Sequence, residues 1–219
     1  MQKIKLPNIT QRLAVVGRTG SGKTQGAVWN LSKQNFRNFR WYVIDAKMDR
    51  LINSIDGAEH ISITDNVPKA PGLYITHPTP TDFENKIVEA RLWDIWAQEK
   101  CGIFVDEGYM IGNSPAFRAV LTQGRSKKIP MIILSQRPVW LSQFVFSEAD
   151  FYQVYKVNRK DDVKTIKGFV PRYTSNLPAY HSIWHDVGED ITVIMKPVPL
   201  EDDILDNFEG KLGRRKKFI

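Results

Sequence analysis

The chain has 219 residues, a single cysteine, a formal net charge of +7 and 42% hydrophobic residues. That length is enough for a large core and lies near the upper end of what one domain holds. One cysteine excludes an internal disulfide and a cysteine-based zinc site, which fits a reducing compartment. The N-terminus, MQKIKLPNITQR, lacks a signal peptide's apolar run, and no apolar stretch approaches the length of a membrane span.

Short apolar runs alternate with helical stretches, which predicts an α/β fold with a mainly parallel central sheet and helices on both faces. The first strand is expected over Leu13–Val16. It runs into Gly17-Arg18-Thr19-Gly20-Ser21-Gly22-Lys23-Thr24, a full match to G-x-x-x-x-G-K-[ST]. Glycines in such a loop let backbone N–H groups turn inward around phosphates. The helix that follows, expected over Gln25–Gln34, points its positive end at the same anion. Lys23 is expected to reach the β- and γ-phosphates of ATP, and Thr24 to hold Mg²⁺ through its hydroxyl.

Further strands are expected at Trp41–Asp45 and Leu73–Thr76. Prolines at 68, 71, 78 and 80 mark irregular connections around the latter. Asp45 ends its strand either near the site or as a turn or cap former. Residues 82–99 form the clearest helix, with Val88, Leu92 and Ile95 on one stripe. The strand Ile103–Asp106 ends in two acids. Asp106 is the expected Mg²⁺ carboxylate, and Glu107 is placed to orient and deprotonate a water. A kinase, which passes phosphate to a bound acceptor, has less need of that glutamate. A helix over Pro115–Gln123 stops at Gly124, and the strand Met131–Ser135 delivers Gln136 to the carboxyl edge of the sheet, where ligands bind. Phe151–Val157, Tyr180–Asp186 and Ile191–Lys196 extend the same sheet, with antiparallel edges expected. His181 and His185 fall in a strand, so their spacing does not make a metal site.

Residues 1–210 are therefore read as one domain and 211–219, KLGRRKKFI, as a basic tail. Lys127 and Lys128, or Arg214, Arg215, Lys216 and Lys217 of the tail, are candidates for sequence-independent contacts with a polyanion such as nucleic acid. The tail has two other readings, a solvated segment or a dock for an acidic partner or an anionic membrane surface.

Four stretches in order, GRTGSGKT (17–24), VIDAK (43–47), IFVDE (103–107) and TQGRSKKIPMIILSQRP (122–138), resemble the FtsK–HerA superfamily of DNA-pumping P-loop ATPases. Within it, the small size is similar to the genome-packaging ATPases of tailless, membrane-containing double-stranded DNA phages and archaeal viruses. The resemblance covers about residues 12–138. It implies a three-layer RecA/ASCE-like fold and a homo-oligomeric ring, a pentamer or hexamer, that drives double-stranded DNA by ATP hydrolysis. Its partners would be capsid or portal-vertex proteins and a viral inner-membrane protein, in the host cytoplasm and at the packaging vertex of the virion. It also implies an arginine given by one subunit to its neighbour's ATP. Arg125 is the first candidate for that arginine, then Arg137 and Arg118. One departure is Gly108-Tyr109-Met110 after the acids, where many relatives carry a small residue and then a polar group such as histidine. Tyr109 is given no role.

Other readings of the same residues are a filamentous-phage-type assembly ATPase, which normally carries a membrane span, a P-loop nucleotide kinase, and a slow nucleotide-dependent switch. No clear acceptor lid is seen, and no N-K-x-D motif for guanine is present, which favours ATP over GTP.

Overall fold

The computed structural model describes residues 4–212. The tail candidates Arg214 to Lys217 lie outside the described residues. The strands are β1 (Arg12–Val16), β2 (Arg40–Asp45), β3 (Glu59–His60), β4 (Gly72–Thr76), β5 (Cys101–Asp106), β6 (Met131–Ser135), β7 (Phe151–Val154), β8 (Ser182–Asp186) and β9 (Ile191–Met195). They form one nine-stranded sheet in the order β3-β4-β2-β5-β6-β1-β7-β8-β9. The pairs from β3 through β7 are parallel, whereas β8 is antiparallel to β7 and β9 to β8. The antiparallel C-terminal edge is thus as expected.

Helices cover both faces, making three layers. On one face lie α3 (Pro80–Glu84), α4 (Ile87–Gln98), α5 (Pro115–Gln123), α6 (Gln143–Ser147) and α7 (Lys160–Phe169). Val88, Leu92 and Ile95 of α4 join Phe117, Val120 and Phe146 in this core. On the other face lie α1 (Lys23–Ser32), α2 (Arg50–Asn53) and α8 (Glu201–Leu212), with Val28, Leu31, Ile52, Ile204 and Phe208 buried. Coverage from both sides is why β1, β2, β5, β6 and β7 are buried at every position. Apart from Gln153 and the polar residues at strand ends, their sequences therefore read as apolar runs rather than alternating ones.

Three expectations change at their boundaries. The helix expected over 82–99 is two helices, because Thr79 and Asp82 form a capping box that starts α3 early, and Lys86, at φ 60°, restarts the chain into α4. The strand from Phe151 ends at Val154. Tyr155 still donates to Val16 O, but the chain then turns away, and Val157 N donates to the Tyr173 hydroxyl. Tyr180 and His181 stand outside β8, with Tyr180 in a left-handed turn. Helices α7 and α8 were not foreseen. Phe208 of α8 stacks on Phe36 with centroids 5.6 Å apart. Lys211 in its last turn donates to Ser32 O at 2.6 Å and Gln34 O at 2.9 Å. A cation there suits the carbonyl end of α1, so this first charge of the basic segment belongs to the packed helix.

Tyr155 is the cushion under α1. Its phenol receives a hydrogen bond from Gln153 at 3.0 Å, and the residue is 1% exposed. A Cβ on Gly26 would fall 2.8 Å from Tyr155 Cζ and closer still to its hydroxyl. Gly26→Ala is therefore expected to lower stability by about 1–3 kcal/mol, the range for overpacking a filled core. Chemical denaturation checks this, and an unchanged midpoint would show that the ring can swing aside.

Candidate nucleotide site

The loop between β1 and α1 is pinned at both ends. Gly17 N donates to Ser135 O of β6 at 3.2 Å, and Arg18 N donates to Lys156 O beyond β7 at 3.0 Å. Gly20 and Gly22 take φ of 73° and 89°. Both conformations favour glycine, which explains those two positions of the motif. Lys23 opens α1 and is 5% exposed, with its ammonium aimed across the sheet edge. Thr24 follows it in the first turn of α1.

Sheet order decides what that ammonium meets. β6 lies beside β1 and β5 beside β6, so the carboxyl ends of all three strands converge. Asp106 and Glu107 stand at the end of β5 and Gln136 at the end of β6. Glu107 is fully buried and sits at φ 61°, ψ 62°. For a residue with a Cβ this left-handed geometry costs about 1–2 kcal/mol, and such strain concentrates at functional positions. Its carboxylate is held from three sides. Lys23 Nζ lies 3.5 Å from Oε1, Lys47 Nζ bonds the same oxygen, and Gln136 N donates to Oε2 at 3.2 Å. The Gln136 side chain in turn accepts from the Thr19 hydroxyl at 2.7 Å. The end of β6 thus links Glu107 to the phosphate loop. Gly108 is glycine because a Cβ there would fall 2.6 Å from Ile133 Cγ2. Tyr109 packs edge-on against Trp140.

Asp106 differs from its neighbour. It is 2% exposed, and neither carboxylate oxygen has a hydrogen-bond partner among the described residues. Burial is the main cause that pushes its carboxyl up to about 6. The charges of Glu107 and Asp45 act in the same direction, and Lys23 and Lys47 oppose it. Two desolvated oxygens without partners are what a divalent cation would satisfy, and Thr24, in the first turn of α1, is the hydroxyl residue that would join them. The donor set fits Mg²⁺, a hard cation that takes oxygen ligands.

A stability prediction follows. In the nucleotide-free protein the Asp106 charge is penalised fully above pH about 6. The penalty disappears below the unfolded carboxylate's ordinary value of about 3.9. Asp106→Asn is expected to raise the melting temperature of nucleotide-free protein at neutral pH. The gain is at most about 3 kcal/mol, the equivalent of a shift of roughly two pH units. That advantage fades as the pH falls through this window. Thermal melts at several pH values check it, and a lower melting temperature at neutral pH would contradict it.

Asp45 lies opposite Asp106 in register. Its oxygens accept from Lys47 N at 3.2 Å and Asp49 N at 2.9 Å. It closes the turn after β2 and also meets His77 Nδ1 at 3.3 Å. Lys47 closes the VIDAK stretch, and nothing within those five residues signals a partner at the end of β5. Burial pulls its ammonium down, and the bond and charge of Glu107, with Asp106, outweigh that and hold it above the ordinary lysine value.

The arginine candidates separate widely. Arg125 is exposed and pairs with Asp150 at 2.6 Å, and Asp150 also accepts from Arg12 N at the start of β1. That is the amino edge of the sheet, one strand length (roughly 13 Å) from the loop in the same subunit. Lys127 lies at this edge too. It pairs with Glu99 at 2.7 Å and lies 4.1 Å from the Trp96 ring centroid, whereas Lys128 is exposed. Arg118 is on α5, 5.9 Å from the Phe144 ring centroid. Arg137 bonds Asp162 at 3.0 Å and stacks on Trp140. With Arg18, Thr19, Gln136, Asn158 and Arg159 it lines a cavity of about 180 Å³ beside the loop. Arg159 was not singled out, because more than a hundred residues separate it from Thr19. No cluster of three or more metal-ligating His, Cys, Asp or Glu side chains occurs among the described residues. No helix among them is long and apolar enough to cross a membrane.

No family model matches the chain. It is 50% identical over 226 residues to the DNA packaging ATPase P9 of Enterobacteria phage PRD1, covering 98% of each sequence. Its fold is similar to the genome packaging NTPase B204 of Sulfolobus turreted icosahedral virus 2 solved with ATP-gammaS. The TM-score is 0.67 at 20% identity, over 88% of this chain and 100% of that one. It also resembles the cytoplasmic domain of the type VII secretion ATPase EccC of Thermomonospora curvata. There the TM-score is 0.60 at 13% identity, over 87% of this chain and 24% of that one. The complete phosphate loop, the paired acids of β5 and the near full-length identity to P9 agree, and the chain belongs to the family of viral DNA packaging ATPases.

Proposed function

We propose that this chain hydrolyses ATP to ADP and phosphate, and that a ring of its copies uses that energy to drive double-stranded DNA into a preformed capsid. The observation that carries hydrolysis is Glu107. It is a buried carboxylate beside a complete phosphate loop, held by Lys23, Lys47 and the Gln136 backbone. A packaging role is supported by the identity to P9 over nearly the whole sequence.

In this reading the loop N–H groups and Lys23 hold the β- and γ-phosphates. Thr24 and Asp106 hold Mg²⁺, which would offset the phosphate charge. When ATP enters, Lys23 turns toward the phosphates, and Glu107 loses one of its two ammonium partners. The carboxylate is then free to take a proton from a water aligned on the γ-phosphorus. The water oxygen bonds to phosphorus as the bond to the β-bridging oxygen breaks. Gln136, bonded to both Thr19 and Glu107, contacts the γ-phosphate or the water and relays its loss to the loop. Arg125 stands too far away to act within its own subunit, so it serves a neighbour's ATP across a pentameric or hexameric ring. Arg137 and Arg118 are the alternatives. Lys128 and the basic segment Arg214–Lys217 carry sequence-independent DNA contacts, with Lys127 once it leaves Glu99. Capsid or portal-vertex proteins and a viral inner-membrane protein are the partners, met in the host cytoplasm and at the packaging vertex of the virion. The ATPase domain runs through the end of α8 at Leu212, and the residues after it act as an appended basic segment.

The test is ATP hydrolysis with and without double-stranded DNA, for wild type, Arg125→Ala, and mixtures of Arg125→Ala with Glu107→Gln. Stimulation by DNA and partial rescue in the mixtures are expected. Phosphate transfer to a nucleoside without basal hydrolysis would establish a kinase instead. Absence of rescue would remove Arg125 as the shared arginine.

A further inference from the structure

Tyr180 is an exposed aromatic residue in a conformation that tyrosine avoids. The turn Pro178–His181 is closed by His181 N donating to Pro178 O at 3.2 Å, and Tyr180 takes φ 60° at its third position. Positive φ at that position of a turn calls for glycine or asparagine. The residue is 59% exposed, so burial of the ring does not offset the strain. Its hydroxyl has no hydrogen bond among the described residues, whereas the Tyr155 phenol below the loop is bonded to Gln153. The Tyr180 ring borders the phosphate loop. Its Cδ1 lies 3.2 Å from where a Cβ of Gly22 would stand, at the very start of α1. His181 leads directly into β8, so the turn is anchored on the sheet.

Sheet order tells which end of a nucleotide would lie there. Asp106, Glu107 and Gln136 all stand on the β5–β6 side of β1, so the γ-phosphate must face that side. The nucleoside end of the same molecule then leaves the loop toward the β7–β8 side, where Tyr180 stands. We propose that Tyr180 is the base platform of the nucleotide site, a strained aromatic face beside Gly22 on which the purine ring stacks. This rests on the ATP reading above and adds the subsite for the base. A π-face accepts any base, so the platform supplies affinity rather than selection of adenine.

The experiment is calorimetric titration of Mg-ATP and of Mg-tripolyphosphate, which has no base, into wild type, Tyr180→Gly and Tyr180→Phe. Glycine relieves the left-handed strain, so Tyr180→Gly should melt at or above the wild-type temperature. Loss of stacking should weaken its ATP binding roughly 5- to 100-fold, with tripolyphosphate affinity unchanged. Tyr180→Phe should bind ATP as wild type does. Unchanged ATP affinity in Tyr180→Gly overturns the platform. So does an equal loss for ATP and tripolyphosphate, which would mean that the ring only shapes the loop. Wild-type protein that binds neither ligand would instead overturn the nucleotide reading itself.

Discussion

Glu107→Gln is expected to lower the ATP turnover rate roughly 10²- to 10⁴-fold, the usual contribution of a general base, while ATP still binds. Glutamine has the same shape and can still accept from Gln136 N through its amide oxygen. It cannot take a proton from water at neutral pH. The substitution also removes the charge that Lys23 and Lys47 share. Lys23 is then free to meet the phosphates, so affinity should hold or rise. Single-turnover hydrolysis beside equilibrium ATP binding separates the two effects. Near-normal turnover in Glu107→Gln would remove the base assignment and leave Glu107 as a buried counter-ion. Loss of binding together with turnover would point to a folding defect, which the melting temperature would reveal.

Lys23→Ala should act on the other quantity. Its ammonium is 5% exposed and lies at the first position of α1, where loop and helix aim at one anion. Truncating one partner of a buried charge pair costs about 2–5 kcal/mol, so ATP affinity should fall at least roughly thirtyfold. The protein should remain folded, because Glu107 keeps Lys47 and the Gln136 backbone. Removing Lys47 as well would leave a buried carboxylate without a cation. The Lys23→Ala/Lys47→Ala double variant is thus expected to lose about 3–5 kcal/mol more. Fluorescence titration with an ATP analogue and chemical denaturation measure the two effects. Equal stability of single and double variants would show that Glu107 needs no cation partner in the folded protein.

Strand positions were legible because both faces of the sheet are covered. Runs such as Leu13–Val16 and Met131–Leu134 are apolar at every position, with turn-forming or polar residues at their ends. The helix Pro115–Gln123 was legible from its stop at Gly124, and the structure adds Ser114 as the cap at its start. Helix α7 was not, because it buries only Asp162 and Ile166 and its polar residues mask the period. The break at Lys86 was hidden for another reason. Lys86 turns the chain with a left-handed backbone and no side-chain cap, so nothing in the sequence around it marks a new helix start.

The phosphate-loop motif is readable from the chain alone, since glycine conformation and lysine reach are local properties of eight consecutive residues. The chain alone also places two acids and a glutamine at strand ends, because strand ends are local too. How these residues meet is set by the fold. Parallel crossovers brought β5, β6 and β1 side by side, and Lys47 arrived from β2 to hold Glu107. The same order sent Arg125 to the opposite edge, bound to Asp150, although in sequence it precedes Gln136 by only eleven residues. It also brought Tyr180 to Gly22 across more than 150 residues. Such contacts are set by which strands neighbour each other. That in turn follows from burying both faces of one sheet, a property of the whole chain that no single stretch carries.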